Sequence, residues 1–180
     1  MVFKYSKVIA SAIALISIFT LYLVSAEISS VLVFIPGVVV SLMVYLFTFE
    51  KNIPKPKRIL PLYLFALGMQ FLHFTEEYLT DFHIKLPALF NQPPYDLDVW
   101  TTFNMVAYFI FILGGIALFK NLKEFTIIVI FFILFGIMFN GIVHVLTSLY
   151  IGDYFPGLYT ALTYLVIGPI LIKRCFITVS

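Results

Sequence analysis

The sequence predicts an all-α fold: a polytopic transmembrane bundle of about six helices with both termini cytoplasmic. Three observations predict it. Of 180 residues, 62% are apolar and 11% charged, with a mean hydropathy of +1.08. A soluble domain is roughly 45–50% apolar with about a quarter of its residues charged. The few charges sit in short clusters between long apolar runs, the signature of membrane-spanning helices. Lys and Arg also gather in alternate connectors, on one of the two sides that those runs define, as the positive-inside rule requires. Together these exclude a soluble globule, a disordered chain and a repeat array. Residues 1–180 read as a single membrane domain with no room for a separate soluble one.

Residues 1–58 supply two scaffold spans. Lys4 and Lys7 precede the first apolar run, Val8 to Ser25. A cleavable signal peptide begins the same way, but this run is longer than the roughly 7–15 apolar residues of one, so a retained span is expected. The second run, Val31 to Phe49, contains a Pro36-Gly37 pair expected to break it. Ser11, Ser17 and Ser41 can bond to backbone within these helices and carry no chemistry of their own.

Residues 59–172 supply four more. The third span runs from Ile59 to about Thr80, the fourth from Val99 to Phe119 and the fifth from Phe125 to Tyr150. The sixth, Leu158 to Ile172, is short against the roughly 20 residues a bilayer core needs, and Gly168-Pro169 is expected to kink it.

With the N-terminus inside, the inner segments hold Lys4, Lys7, Lys51, Lys55, Lys57, Arg58, Lys120, Lys123, Lys173 and Arg174, and the outer ones only Lys85. Dropping one span would scramble this alternation. The pattern fits the plasma membrane of a bacterium or archaeon. No basic run is long enough to suggest nucleic acid as a partner. The single cysteine, Cys175, excludes an intrachain disulfide and reads as an ordinary thiol.

Polar groups at membrane depth carry the functional signal. An ionisable side chain there costs on the order of 2.5–3.5 kcal/mol and persists only when paired, protonated, metal-bound or facing water. The third span holds Gln70, His73, Glu76, Glu77 and Thr80, with Asp81 just beyond. At 3.6 residues per turn, His73, Glu76, Glu77 and Thr80 share one arc, which Gln70 and Asp81 flank. Either glutamate can reach the point that the imidazole reaches. In the fifth span Asn140 and His144 share a face with Gly136 and Thr147, where Gly136 would admit a neighbouring helix. Both histidines lie roughly 10 Å below the outer ends of their spans, at 1.5 Å per residue. The fourth span brings Thr101, Asn104 and Tyr108 to similar depths, and the sixth brings Tyr159, Thr160 and Thr163. The inner halves of these spans are nearly apolar, which indicates a site open to the outer face rather than a through-channel.

His73-Phe74-Thr75-Glu76-Glu77 matches a His-x-x-Glu-Glu signature. Asn140-Gly141-Ile142-Val143-His144 and Tyr154-Phe155-Pro156-Gly157 follow it as Asn-x-x-x-His and Tyr-x-Pro-Gly. With these three in this order, roughly residues 60 to 172 resemble the HXXEE-motif membrane proteins. The resemblance implies an integral-membrane domain with a site at these residues, and implies no particular reaction. Membrane proteases of the CAAX-processing type also carry a Glu-Glu pair and histidines. Their motif continues Glu-Glu-x-x-x-Arg where this chain has Asp81, and the order of Asn140 and His144 is reversed, so that assignment is set aside.

Two imidazoles and a carboxylate are a standard ligand set for zinc or iron. The expected roles are His73, Glu77 and His144 as ligands of one divalent metal and Glu76 as general base, with the two glutamates interchangeable. Asn140 would orient a ligand or stabilise an oxyanion. Gln70, Asn104, Tyr108 and Tyr154 are secondary candidates. A site near the outer leaflet suits a lipid or another amphiphile as substrate, and membrane lipids are the expected partners. A metal-free carboxylate and histidine pair that handles protons, in acid/base chemistry or in transport, is the alternative, and a purely structural polar network is the third reading. Neither the substrate nor the oligomeric state is legible. The loop from Asp81 to Asp98 is too short to span and reads as an interfacial segment or lid, with Trp100 and Tyr95 in an interfacial belt and His83 a solvated loop residue. The Asp153 to Gly157 turn is expected to position the sixth span.

Overall fold

The structure, a computed structural model, describes residues 5–25, 28–49 and 54–177. Expectations for Lys4, Lys51 and the connectors at 26–27 and 50–53 lie outside the described residues. Among the described residues all regular structure is helical. Helix α1 spans Ser6–Val24, and α2 spans Ile28–Val44 and continues as a π-helical turn, Tyr45–Phe49. Then follow α3 (Pro56–Leu79), the short α4 (Phe82–Ala88) and α5 (Leu97–Phe119). A 3-10 turn leads into α6 (Thr126–Phe131), a π-helical stretch over Phe132–Phe139 and α7 (Asn140–Ile151) without interruption. The last helix is α8 (Leu158–Ile177).

Four of these helices are long and apolar enough to cross a membrane: Ser6–Val24, Leu97–Phe119, Lys123–Ile151 and Leu158–Phe176. Val33–Phe49 is a shorter apolar helix. Helix α3 has the length, 24 residues, but its Lys57, Arg58, Gln70, His73, Glu76 and Glu77 make it too polar by composition. Apolar side chains also cover the outside of the bundle: Leu15, Ile16 and Phe19 of α1, and Phe109 and Ile116 of α5, are exposed. Large apolar surfaces are rare on soluble monomers, so this surface fits a membrane environment.

Local chemistry explains the helix ends. Pro56 opens α3 behind an extended Lys55, where a missing N–H costs nothing. Asp96 caps α5 by accepting from the Val99 N–H at 2.9 Å. Gly152, at φ 72°, stops α7 in the left-handed region. The two prolines expected to break or kink their helices do not end them. Helix α2 continues through Pro36, and the Ser41 hydroxyl donates to the Gly37 carbonyl at 2.8 Å. Helix α8 passes Pro169 and reaches 20 residues, with Gly168 accommodating the Met138 side chain.

Helix α3 packs against α5 and α8, and α8 packs against α7 and the π-helical stretch. Helices α1 and α2 lie against each other and against α6. The common core includes Tyr63, Phe111, Phe132, Ile137 and Tyr164. Tyr63 is fully buried, its hydroxyl donates to the Phe111 carbonyl at 2.7 Å, and its ring meets Phe132 edge-on at 4.9 Å. Tyr63→Phe removes that one bond and keeps the ring. The expected cost is about 0.5–1.5 kcal/mol, read as a small fall in Tm in detergent.

Candidate metal centre

Helix α3 presents His73 and Glu77 on one face, four residues apart. Helix α7 brings His144 to the same point. Glu77 Oε1 lies 3.4 Å from His73 Nε2 and 3.2 Å from His144 Nε2. One ligand atom from each of the three lies within 4.8 Å of the others. All three side chains are buried, His73 completely. The two imidazoles meet edge-on, with ring centroids 4.6 Å apart.

The close approach of α7 to α8 makes this possible. A Cβ on Gly141 would stand 2.8 Å from the Tyr164 Cβ and 3.3 Å from the Ala161 carbonyl oxygen. Only a bare backbone fits there. The π-helical stretch ends where Asn140 begins, and π-helical turns often sit at functional sites because they re-aim the residues that follow. Gly136 lies beside the rings of Phe132, one turn earlier, and Phe111 of α5.

Residues 154–157 form the wall of the site, and each has a task. The Tyr154 hydroxyl donates to Glu76 Oε1 at 2.8 Å. The Phe155 N–H donates to the Ser148 hydroxyl at 3.1 Å. The Pro156 carbonyl accepts from His144 Nδ1 at 2.6 Å. Gly157 has φ 87°, and a Cβ there would stand 2.6 Å from His144 Cε1 and 2.8 Å from His73 Cε1. The turn does lead into α8, and it also touches both histidines. From sequence, Pro156 and Gly157 read mainly as a turn that positions the sixth span, and Thr160 shares only the depth of the site. The available signal was the Pro-Gly pair in a motif that travels with the other two.

The two glutamates part company. Glu77 faces the histidines. Glu76, expected as general base, turns to the start of α8 and accepts four hydrogen bonds. Its Oε1 takes the Tyr154 hydroxyl and the Tyr159 N–H at 3.0 Å; its Oε2 takes the Thr160 N–H at 2.9 Å and the Thr160 hydroxyl at 2.5 Å. It thus fills the role of a helix N-cap from a distant part of the chain. These four bonds occupy the carboxylate lone pairs that the expected general-base role would use. Burial and the Glu76 carboxylate hold the Tyr154 phenol above its ordinary pKa, so it stays a donor.

Asn140 Nδ2 lies 3.0 Å from His73 Nε2, at the edge of the group. Gln70 lies on the inward side of His73, where its side-chain oxygen accepts from Tyr164 at 2.9 Å and its carbonyl from Tyr108 at 3.3 Å. Asn104 bonds back to the Trp100 carbonyl of its own helix at 2.9 Å and has no part in the group. Asp81, expected to flank the polar arc, is exposed at φ 65° beyond the end of α3. From the loop, Phe82 covers the group, its ring 5.5 Å from His144 and 5.7 Å from Phe155. Trp100 is not in a surface belt: it is buried against Phe74 at 4.9 Å and Phe82 at 5.9 Å. His83 is half-buried beside Trp100 and does not join the group, so neither is it a solvated residue.

A comparison with curated proteins finds no match, and neither does one with solved structures. A family model described as "Protein of unknown function with HXXEE motif" matches residues 64–172. That match takes in α3 from Leu64 onward, α7 and most of α8, and with them every residue of the His73, Glu77 and His144 group. It covers more than half of the chain, and the protein belongs to the HXXEE-motif family.

Proposed function

We propose that the chain is an integral membrane protein of six spans with both termini cytoplasmic. In this reading it binds one divalent metal ion, zinc or iron, through His73, Glu77 and His144. The metal serves a hydrolase acting on a lipid or another amphiphile near the outer-leaflet interface. The observation that carries the reading is the convergence of two imidazole Nε2 atoms on one carboxylate oxygen.

Two features of that convergence favour a cation. His144 Nδ1 faces a carbonyl and must donate to it, so a neutral His144 presents a bare Nε2 to an acceptor oxygen. Acceptors that face one another call for a positive centre between them. The separations of 3.4 and 3.2 Å also match the edge of a tetrahedron whose metal bonds are about 2.0–2.2 Å, which is about 3.3–3.6 Å. A protonated imidazole bonded to a carboxylate would draw in to about 2.7–2.9 Å. Three ligands leave a fourth position for water, which a bound metal would acidify. Glu76 being engaged, that acidification carries water activation in this reading, with Asn140 beside His73 to orient a ligand.

The burial pattern of α3 supports a third span that composition alone misses. It hides Gln70, His73 and Glu77 and turns Leu64, Phe65, Leu72 and Leu79 outward. The charge alternation supports the orientation, which puts the group in the outer half of the membrane. Metal analysis of the detergent-purified protein by mass spectrometry should find about one zinc or iron per chain. Its absence after reconstitution with zinc, iron and manganese would sink the metal reading. A metal-loaded protein that cleaves no lipid or amphiphile ester would remove the hydrolase half alone.

A further inference from the structure

We infer that Thr160 and Glu76 are positioning residues that fix the tautomer of His73. The inference rests on the metal reading for its purpose, though not for its geometry. Thr160 has one hydroxyl proton. Its oxygen lies 2.5 Å from Glu76 Oε2 and 3.2 Å from the Gly157 carbonyl. The short contact to a charged acceptor takes the proton. The same oxygen lies 2.7 Å from His73 Nδ1, toward which it has only lone pairs left to offer. Nδ1 therefore carries the hydrogen, and a neutral His73 leaves Nε2 an acceptor, toward which Asn140 Nδ2 lies at 3.0 Å. Nε2 is the atom that faces Glu77.

Glu76 can impose this because it cannot turn away. The Tyr159 and Thr160 amides and the Tyr154 hydroxyl hold its two oxygens in place. The two histidines are thus presented by separate devices. His144 is set by a main-chain carbonyl, whereas His73 is set by two side chains that substitution can remove. Outer partners of this kind orient metal-binding imidazoles and tune their affinity. The His-x-x-Glu-Glu spacing then acquires a division of labour: the last glutamate meets the imidazole directly, and the first governs it through Thr160.

The test combines zinc titration with nitrogen NMR of the imidazole rings in the metal-free, detergent-purified protein. Wild type should show His73 protonated at Nδ1. Thr160→Val and Glu76→Gln should mix the two tautomers of His73 and weaken zinc binding by about 10–100-fold. Thr160→Ser keeps the hydroxyl and should keep both the tautomer and the affinity, which a merely bulky packing role would not predict. Should Thr160→Val fail to fold, Glu76→Gln carries the same measurement. A His73 protonated at Nε2 in wild type, or an unchanged tautomer in both variants, overturns the inference. Failure of the metal reading is distinct: wild type would bind no zinc, while the tautomer would still decide the role of Thr160.

Discussion

Gly157→Ala should abolish metal binding and lower the stability of the whole bundle. Two costs act together. Gly157 lies at φ 87°, a conformation that costs an L-residue about 1–2 kcal/mol. The added methyl would also stand 2.6 Å from His144 Cε1, 2.7 Å from His144 Nδ1 and 2.8 Å from His73 Cε1. Those rings cannot retreat freely, since His144 is tied to the Pro156 carbonyl and His73 to Thr160. Overpacking of this kind typically costs a further 1–3 kcal/mol or so. The expected result is a large fall in Tm in detergent together with, on the proposed metal reading, loss of zinc binding. A variant with wild-type Tm and full metal content would show that the turn can move away and that Gly157 is no wall of the site. Gly152→Ala is the control: its φ is also positive, at 72°, but nothing lies within 4 Å of the added carbon. It should pay only the backbone cost and keep its metal.

Glu77→Gln should separate a metal centre from a structural ion pair. The glutamine keeps the shape of the side chain and loses its charge. If Glu77 supplies one of three ligands, affinity should fall by at least about 100-fold, beyond the effect of losing an outer partner. Stability without metal should then change little, because an amide N–H can satisfy the bare Nε2 of a histidine. A buried ion pair with imidazolium behaves in the opposite way, and breaking one typically costs about 3–5 kcal/mol. Zinc titration and metal-free thermal unfolding of the same sample tell the two apart. A destabilised variant with unaltered zinc affinity would overturn the ligand role of Glu77.

How much of this was legible follows from where each residue gets its neighbours. His73 and Glu77 meet through one helical turn, and spacing alone shows that. That His144 joins them was read from its depth, because two polar groups at one level of an apolar bundle have few other partners. The division between Glu76 and Glu77 was not legible. Both lie within reach of His73 on a helix, and what separates them is a set of donors at residues 154–160. Trp100 looked interfacial from its position after a polar loop. The short helix α4 folds over it and buries it. Pro36 does not break α2, and α8 runs on past Pro169.

The remote cap on α8 bears on how such a chain is made. Translation delivers α3 well before residues 154–160. Until then Glu76 has none of the four donors it finally accepts from. On the proposed topology, a nascent protein would hold Glu76 without those donors, and Glu77 with only His73 beside it, while α4 to α7 emerge, each acid costing up to about 2.5–3.5 kcal/mol near mid-membrane. The fifth span brings His144 to Glu77, and residues 154–160 then bring Glu76 its donors. A ribosome stalled before residue 154 leaves a chain whose third helix still lacks the partners of Glu76.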